Sequence, residues 1–137
     1  MIDYPVKVLL ALEQSLDEKT SFFNWLLYNG YPELAAFSNA VHNDPEAVKW
    51  LIENGYPQLG ALAHAVDDEY QAYKWLKERN YDFLIILAEA AQKKDYALKF
   101  LKEKKLAIFI RLCMKIAEVK DIQNRDSWDY HKIGPFR

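Results

Sequence analysis

The segment Trp25-Leu-Leu-Tyr-Asn-Gly-Tyr-Pro-Glu-Leu34 recurs as Trp50-Leu-Ile-Glu-Asn-Gly-Tyr-Pro-Gln-Leu59. Fainter copies begin at Trp75 and at Phe100, so four large rings follow one another at equal spacing along the chain. A constant period of about 25 residues is the sequence signature of a repeat protein, in which small units stack on one another. The sequence therefore predicts an all-α solenoid of stacked helix-turn-helix repeats, with about four to five units.

The sequence pattern of each unit predicts a pair of short helices. In residues 34–58, apolar residues at i, i+3 and i+7 indicate one buried face of a first helix. Asp44 and Pro45 are typical of a second helix start, because a carboxylate caps free N–H groups and proline lacks only a donor that is unused there. Gly55 favours the left-handed conformation that closes a helix, and Asn80, which tolerates it, replaces glycine in the next unit.

The period divides residues 1–123 into one domain of helical repeats. Its units occupy about residues 8–30, 31–55, 56–80, 81–105 and 106–123, the last as a helix pair or as one longer helix. Residues 124–137 lose the period but keep apolar side chains, so we expect this C-terminal tail to cap the last repeat. The column of Trp and Phe rings is expected to form a packed, buried spine.

The second helix of the unit resembles the outer helix of the ankyrin repeat. Glu46-Ala-Val-Lys-Trp-Leu-Ile-Glu-Asn-Gly55 has its acidic start, its apolar pair and its final glycine, and the likeness recurs in residues 71–80 and 96–105. Ankyrin units have ~33 residues, so this resemblance implies a shortened, ankyrin-like unit that lacks the projecting β-hairpin. Ankyrin repeats are protein-recognition scaffolds, which implies protein binding through the inner helices.

Composition places the chain among folded proteins. It has 137 residues, of which 51% are apolar, and its single cysteine, Cys113, excludes an internal disulfide. Since Ser38, Ala63 and Ala88 share its repeat position, we expect Cys113 to be a small buried group. No sequence stretch approaches the ~18 to 20 apolar residues of a membrane span, and the start lacks the pattern of a secretory signal. We therefore expect a cytoplasmic protein without membrane partners.

Charge is distributed unevenly along the chain. Residues 1–73 contain 3 Lys/Arg and 11 Asp/Glu, whereas residues 74–120 contain 12 Lys/Arg and 6 Asp/Glu. If the units form a short curved rod, one end is acidic and the other basic. This polarity predicts either a partner with the opposite gradient or head-to-tail self-association.

The sequence gives little evidence for a catalytic or metal-binding site. The three histidines lack any spacing that would bring two ligands onto one helix. The run Asp67-Asp68-Glu69 could suggest a cation site, but helix capping by Asp68, answered by Gln71, explains it better. A nucleophile paired with a base is also not evident. We therefore predict a non-enzymatic protein with no catalytic, metal or cofactor site.

The favoured function is protein binding through the surface of the first, inner helices. Residues at this surface vary from unit to unit while the core positions stay apolar, as expected for recognition on a common scaffold. The predicted partner-binding residues are Asn39, His64 and Glu89 on the helices, with Asn43, Asp68 and Lys93 at the adjoining turns. Two alternatives remain open: nucleic-acid binding through the basic residues 93–105, or a toxin-neutralising or adaptor protein with an acidic face at residues 67–69.

Overall fold

A computed structural model of the protein describes the backbone of residues 1–133 and the side chains of residues 1–125. This part of the chain is all-helical and forms a solenoid of helix pairs, which confirms the predicted fold class. Its helices are Val6–Ser15 (α1), Thr20–Tyr28 (α2), Pro32–Val41 (α3), Pro45–Glu53 (α4), Pro57–Ala65 (α5), Tyr70–Glu78 (α6), Asp82–Ala91 (α7), Asp95–Glu103 (α8) and Ala107–Ile133 (α9). We call α1, α3, α5, α7 and α9 the inner helices, and α2, α4, α6 and α8 the outer helices.

The outer helices end as the sequence predicts. The N–H of Tyr56 donates to the carbonyl of Leu51 at 2.8 Å, which is the long hydrogen bond of a Schellman end. Gly55 supplies the left-handed residue at φ 90°, and Asn80 takes the same role after α6 at φ 62°. These ends reverse the chain sharply, so each outer helix is followed at once by the next inner helix.

The starts of the outer helices confirm one predicted cap and correct another. The N–H of Glu46 donates to Asp44 Oδ1 at 3.0 Å, so Asp44 caps α4. The prediction that Asp68 caps α6 is wrong, because the N-cap residue is Glu69. Asp68 shares its repeat position with Asn43 rather than with Asp44, and both Asn43 and Asp68 adopt the left-handed backbone that ends an inner helix.

The aromatic column occupies equivalent environments at the edge of the core. Trp50 is half-buried and stacks on Tyr56, with ring centroids 6.5 Å apart and planes 4° apart. The fully buried column lies one position further along the outer helices and consists of leucines at residues 26, 51, 76 and 101. The predicted spine is therefore made of leucine, and each Trp ring packs between that leucine column and solvent.

The inner helices supply three rows of buried residues to one continuous core. The rows begin at Leu9, Leu12 and Leu16 and continue at the repeat interval as far as α9. Their other members are Leu34, Leu59, Leu84 and Phe109 in the first row, Phe37, Leu62, Leu87 and Leu112 in the second, and Val41, Val66, Ala91 and Ile116 in the third. Because α9 contributes to every row, its first half is the fifth inner helix.

The first and last inner helices also pack against each other. Arg111 on α9 forms two hydrogen bonds to the buried carboxylate of Glu13 on α1, at 2.9 and 3.0 Å. Lys115 lies 3.0 Å from Asp17. The solenoid therefore closes on itself. It differs from the short curved rod that the sequence suggested, because its two ends are charge-complementary and meet within one chain.

The closing contact uses the same repeat positions as the contacts between successive inner helices. Gln92, at the end of α7, donates to the carbonyl of Ala65 in α5 at 2.8 Å. Lys115 occupies the repeat position of Ala65, and Asp17 occupies that of Gln92. The inner helix α1 therefore follows α9 in the same way that α7 follows α5, and the five inner helices of residues 1–133 form a closed ring of neighbours.

Helix α9 continues far beyond the length of the other inner helices. The expected boundary between repeat domain and tail, at residues 123 and 124, lies inside this helix. Residues 117–123 pass beneath the ends of α3 and α5, where they contact the turns that follow those helices. The predicted capping by residues 124–137 involves side chains that, from residue 126 onward, lie outside the described residues.

Candidate functional site

The three predicted binding residues on the inner helices share one repeat position, and two of them, Asn39 and His64, line grooves. Asn39 lines a groove of 380 Å³ between the first and second units. His64 is exposed and pairs with the carboxylate of Glu69 in its own unit. Glu89 accepts a hydrogen bond from the hydroxyl of Tyr96, also in its own unit. These residues form a row of separate polar positions, and His64 and Glu89 each pair within their own unit.

The predicted binding residues at the turns divide into two kinds. Asn43 donates to Gln123 Oε1 at 2.8 Å, and Lys93 donates to Asp121 Oδ2 at 2.6 Å, so both contact helix α9. Asp68 is exposed and serves as the left-handed residue after α5. The structure therefore does not unite the six predicted residues into one surface, because α9 covers two of the turns.

A buried lysine that the sequence analysis did not single out organises this underside. Lys120 is only 6% exposed, and its ammonium group donates to Val41 O at 2.7 Å, Asp67 Oδ2 at 3.0 Å and Asn43 Oδ1 at 3.2 Å. Val41 ends α3, so the ammonium group also meets the negative end of a helix dipole. The carboxylate of Asp67 therefore has a partner within the chain.

The basic segment at residues 93–105 is partly neutralised by neighbouring groups. Lys99 lies 3.9 Å from Glu103, and Lys104 lies over the ring of Phe100 at 5.8 Å. Lys93 is engaged by α9 as described above. Because ion pairs interrupt this segment, it differs from the continuous basic stripe that is typical of a nucleic-acid interface.

Cys113 is fully buried in α9, as expected from its repeat position, and its thiol lies 3.5 Å from the carbonyl of Leu87. Burial raises the pKa of Cys113 to about 12, from an ordinary value of 9.0. Since the thiolate is the reactive form, we expect iodoacetamide to label Cys113 only after unfolding. Labelling followed by mass spectrometry across a urea gradient checks this, and equal rates in native and unfolded protein would contradict it.

The same thiol should make stability depend on alkaline pH. Because its pKa is raised in the folded state, the unfolded state loses this proton first as pH rises. The contribution to stability is complete below about pH 9 and falls as the pH approaches about 12. Urea denaturation of Cys113→Ala and of the unmodified chain across this range isolates the effect, since only the unmodified chain should show this component.

Exposed apolar side chains concentrate at the first helix pair. Of the ten large hydrophobic residues that are exposed among the described side chains, five lie within residues 1–28. Val6 is 59% exposed and Phe22 is 38% exposed. Together they border an apolar groove of 450 Å³ on α1 and α2, which we call the end groove. Its lining residues are Val6, Leu10, Ala11, Gln14, Phe22 and Trp25, with Lys7 at its edge.

The end groove corresponds, residue by residue, to a groove in the third unit. The positions of Leu10, Phe22 and Trp25 are taken there by Gly60, Ala72 and Trp75, and that groove is also lined by Val48 and Ile52 of the preceding outer helix α4. At the first unit, no helix within residues 1–133 takes the place of α4. In each interior unit, the preceding outer helix packs on this apolar face. On α1, the same face is therefore uncovered.

The number of helices explains why this face is uncovered. Each outer helix packs against the inner helix before it and the inner helix after it. Residues 1–133 contain five inner helices in a closed ring but only four outer helices, because α9 continues straight where the other inner helices turn back. The fifth outer position, between α9 and α1, is open, and Met114 on the α9 side is 42% exposed.

A single sequence signal could have revealed the end groove. At the position of Phe22, the other three outer helices have alanine, at residues 47, 72 and 97. A large apolar residue where the repeat otherwise has a small one indicates a different neighbour at that position. The sequence shows that Phe22 replaces alanine, but only the closed ring shows that this position lies where an outer helix is missing.

Comparison with known proteins found no matching family model, no matching curated protein and no matching solved structure. The fold itself places the chain in the class of α-helical repeat proteins. Within residues 1–133, none of the helices combines the length and apolar character that crossing a bilayer requires. Among the described side chains, His, Cys, Asp and Glu form no group of three or more that could hold a metal ion.

Proposed function

We propose that this chain is a non-enzymatic protein-binding module that docks its partner through the end groove. The observation that carries the proposal is the mismatch between five inner and four outer helices within residues 1–133, which leaves a preformed apolar groove uncovered. Exposed apolar patches bordered by polar residues are typical of protein interaction sites. The resemblance of the outer helices to ankyrin repeats supports a recognition role as well.

The proposed site modifies the surface inferred from the sequence. The inner helix α1 still forms part of the site, through Leu10 and Gln14. Gln14 shares its repeat position with Asn39, His64 and Glu89, so the predicted helix surface continues into the end groove. The turn residues Asn43 and Lys93 are assigned to the contact with α9.

Two charged alternatives have less support. Acidic groups at Glu13, Asp17 and Asp67 are paired with basic residues of α9, which weakens the case for an acidic face that masks a basic partner. Lys93 and Lys99 of the basic segment pair with Asp121 and Glu103, which weakens the case for nucleic acid. The end groove differs from both because its lining is mainly apolar.

Affinity capture from native cell lysate at low and high salt, followed by reconstitution with the purified partner, tests the proposal. We expect a bound protein that is retained at high salt, because apolar docking is not screened as charge pairing is. Phe22→Asp should weaken its binding at least about tenfold. This change lies in the first turn of α2, where an aspartate suits the helix dipole, so the fold should persist.

Tyr70→Asp provides the matched control, since Tyr70 is an exposed aromatic in the first turn of α6, away from the end groove. It should leave binding unchanged. A partner that binds Phe22→Asp as tightly as the unmodified chain would overturn the proposed site. Capture of nucleic acid that is lost at high salt would instead favour the basic segment.

A further inference from the structure

The packing of α4 shows what an occupant of such a groove looks like. A Cβ placed on Gly60 would lie 3.5 Å from Val48 Cγ1 and 3.7 Å from Ile52 Cγ1, so these two side chains rest directly on the floor of the third unit's groove. Leu51, beside them, is fully buried in the core. The outer helix α4 thus contributes Ala47 and Leu51 to the core, and it contributes two further residues, four positions apart, to the next unit's groove.

The floor of the end groove carries larger side chains than the floor of the third unit's groove. Leu10 and Phe22 stand where the third unit has Gly60 and Ala72. Close packing alternates large and small residues across facing positions. A helix seated here therefore needs small side chains at the two positions that Val48 and Ile52 hold in α4, while its leucine still points between α9 and α1.

Charge at the rim adds a further requirement. Lys7 stands where the third unit has Pro57, and its ammonium group lies 5.6 Å from the centre of the Trp25 ring. This cation borders a groove whose other lining residues, apart from Gln14, are apolar. A carboxylate on the occupant would meet it at short range, which favours an acidic residue on the partner near Lys7.

We propose that the end groove takes an amphipathic helix of a partner protein, seated in the register of α4, as the fifth outer helix of the ring. This inference rests on the proposed protein-binding function and specifies the chemistry of the partner. The partner helix has small residues at i and i+4 facing Leu10 and Phe22, a leucine at i+3 in the core, and an acidic residue near Lys7. It is about nine residues long, as α4 is, so it folds on docking.

A tethered helix tests the register without knowledge of the natural partner. We would fuse a copy of residues 44–54 ahead of Met1 through a flexible Gly/Ser linker, with Val48→Ala and Ile52→Ala in the copy, so that the contact of Tyr4 with Glu33 is kept. The matched control is the same fusion with Leu51→Asp in the copy. We expect the first fusion to raise Tm by about 5 °C relative to the control and to slow amide exchange in α1.

The outcomes separate this inference from the proposed function. A higher Tm and slower amide exchange in α1 that both require Leu51 in the copy would support the helical register. The fusion should then also compete with a captured partner for the end groove. Equal Tm for the two fusions would overturn the register, even if Phe22→Asp still abolishes partner binding. Concentration-dependent dimerisation of the unmodified chain, lost in Phe22→Asp, would make the occupant a second copy and overturn the partner helix.

Discussion

Phe37→Ala is expected to lower the free energy of unfolding by about 4 kcal/mol. Phe37 is fully buried in the second row of inner-helix residues, where the other four members are leucines. Its removal leaves a cavity bordered by neighbouring inner helices, and a closed ring has little freedom to collapse into that space. Urea denaturation followed by circular dichroism measures the loss, as a lower midpoint at an unchanged slope.

Phe22→Ala is the matched control for this prediction, because it makes the same chemical change in another short helix. Phe22 lies in the end groove and is 38% exposed, so its loss should cost no more than about 1 kcal/mol. Equal losses for the two variants would mean that the ring is not the centre of the core. A large loss for Phe22→Ala alone would show that the end groove is part of the fold rather than a site for a partner.

The helix pairs were predictable because their determinants are local and repeated. Gly55 and Asn80 end helices through backbone conformation, and Asp44 begins one through a single hydrogen bond. Asp68 was misassigned because the acidic run at residues 67–69 contains several plausible caps. Only the repeat register, which pairs Asp68 with Asn43, identifies Glu69 as the residue at the cap position.

Closure of the ring was not predictable from local patterns. The pair of Arg111 and Glu13 joins residues 98 positions apart, and nothing in either segment specifies the other. The uneven charge along the chain did contain the information, but it also fitted an external partner or self-association. The structure uses this polarity internally, since Glu13 in α1 and Asp17 just after it pair with Arg111 and Lys115 of α9.

The position of the candidate site follows from closure. In an open rod, an exposed apolar end is an ordinary consequence of having a first unit. In a ring, α1 has a preceding inner helix, α9, so the uncovered face is a defined place between two packed helices. The sequence therefore predicts the surface that the repeats share. The end groove depends on the long-range contact between α1 and α9, and on the continuation of α9 as one helix where the other inner helices end in a turn.

Lys120→Met is expected to lower the free energy of unfolding by about 3 kcal/mol. The change keeps the apolar stem but removes a buried ammonium group that serves the carbonyl of Val41 and the side chains of Asn43 and Asp67. Because these acceptors belong to two different turns, the loss should loosen α9 from the underside of the ring. Urea denaturation measures the energy, and faster amide exchange in residues 117–125 locates the effect.

Lys99→Met is the control, since it removes a lysine from an exposed pair with Glu103. Such surface pairs contribute at most about 0.5 kcal/mol, because water and salt solvate both charges when the pair is lost. The two variants have the same change in charge and side-chain chemistry, so their difference measures what burial adds. If Lys120→Met were no more destabilising than Lys99→Met, its hydrogen bonds would be replaceable by water, and α9 would be held by its apolar residues and its contacts with α1 alone.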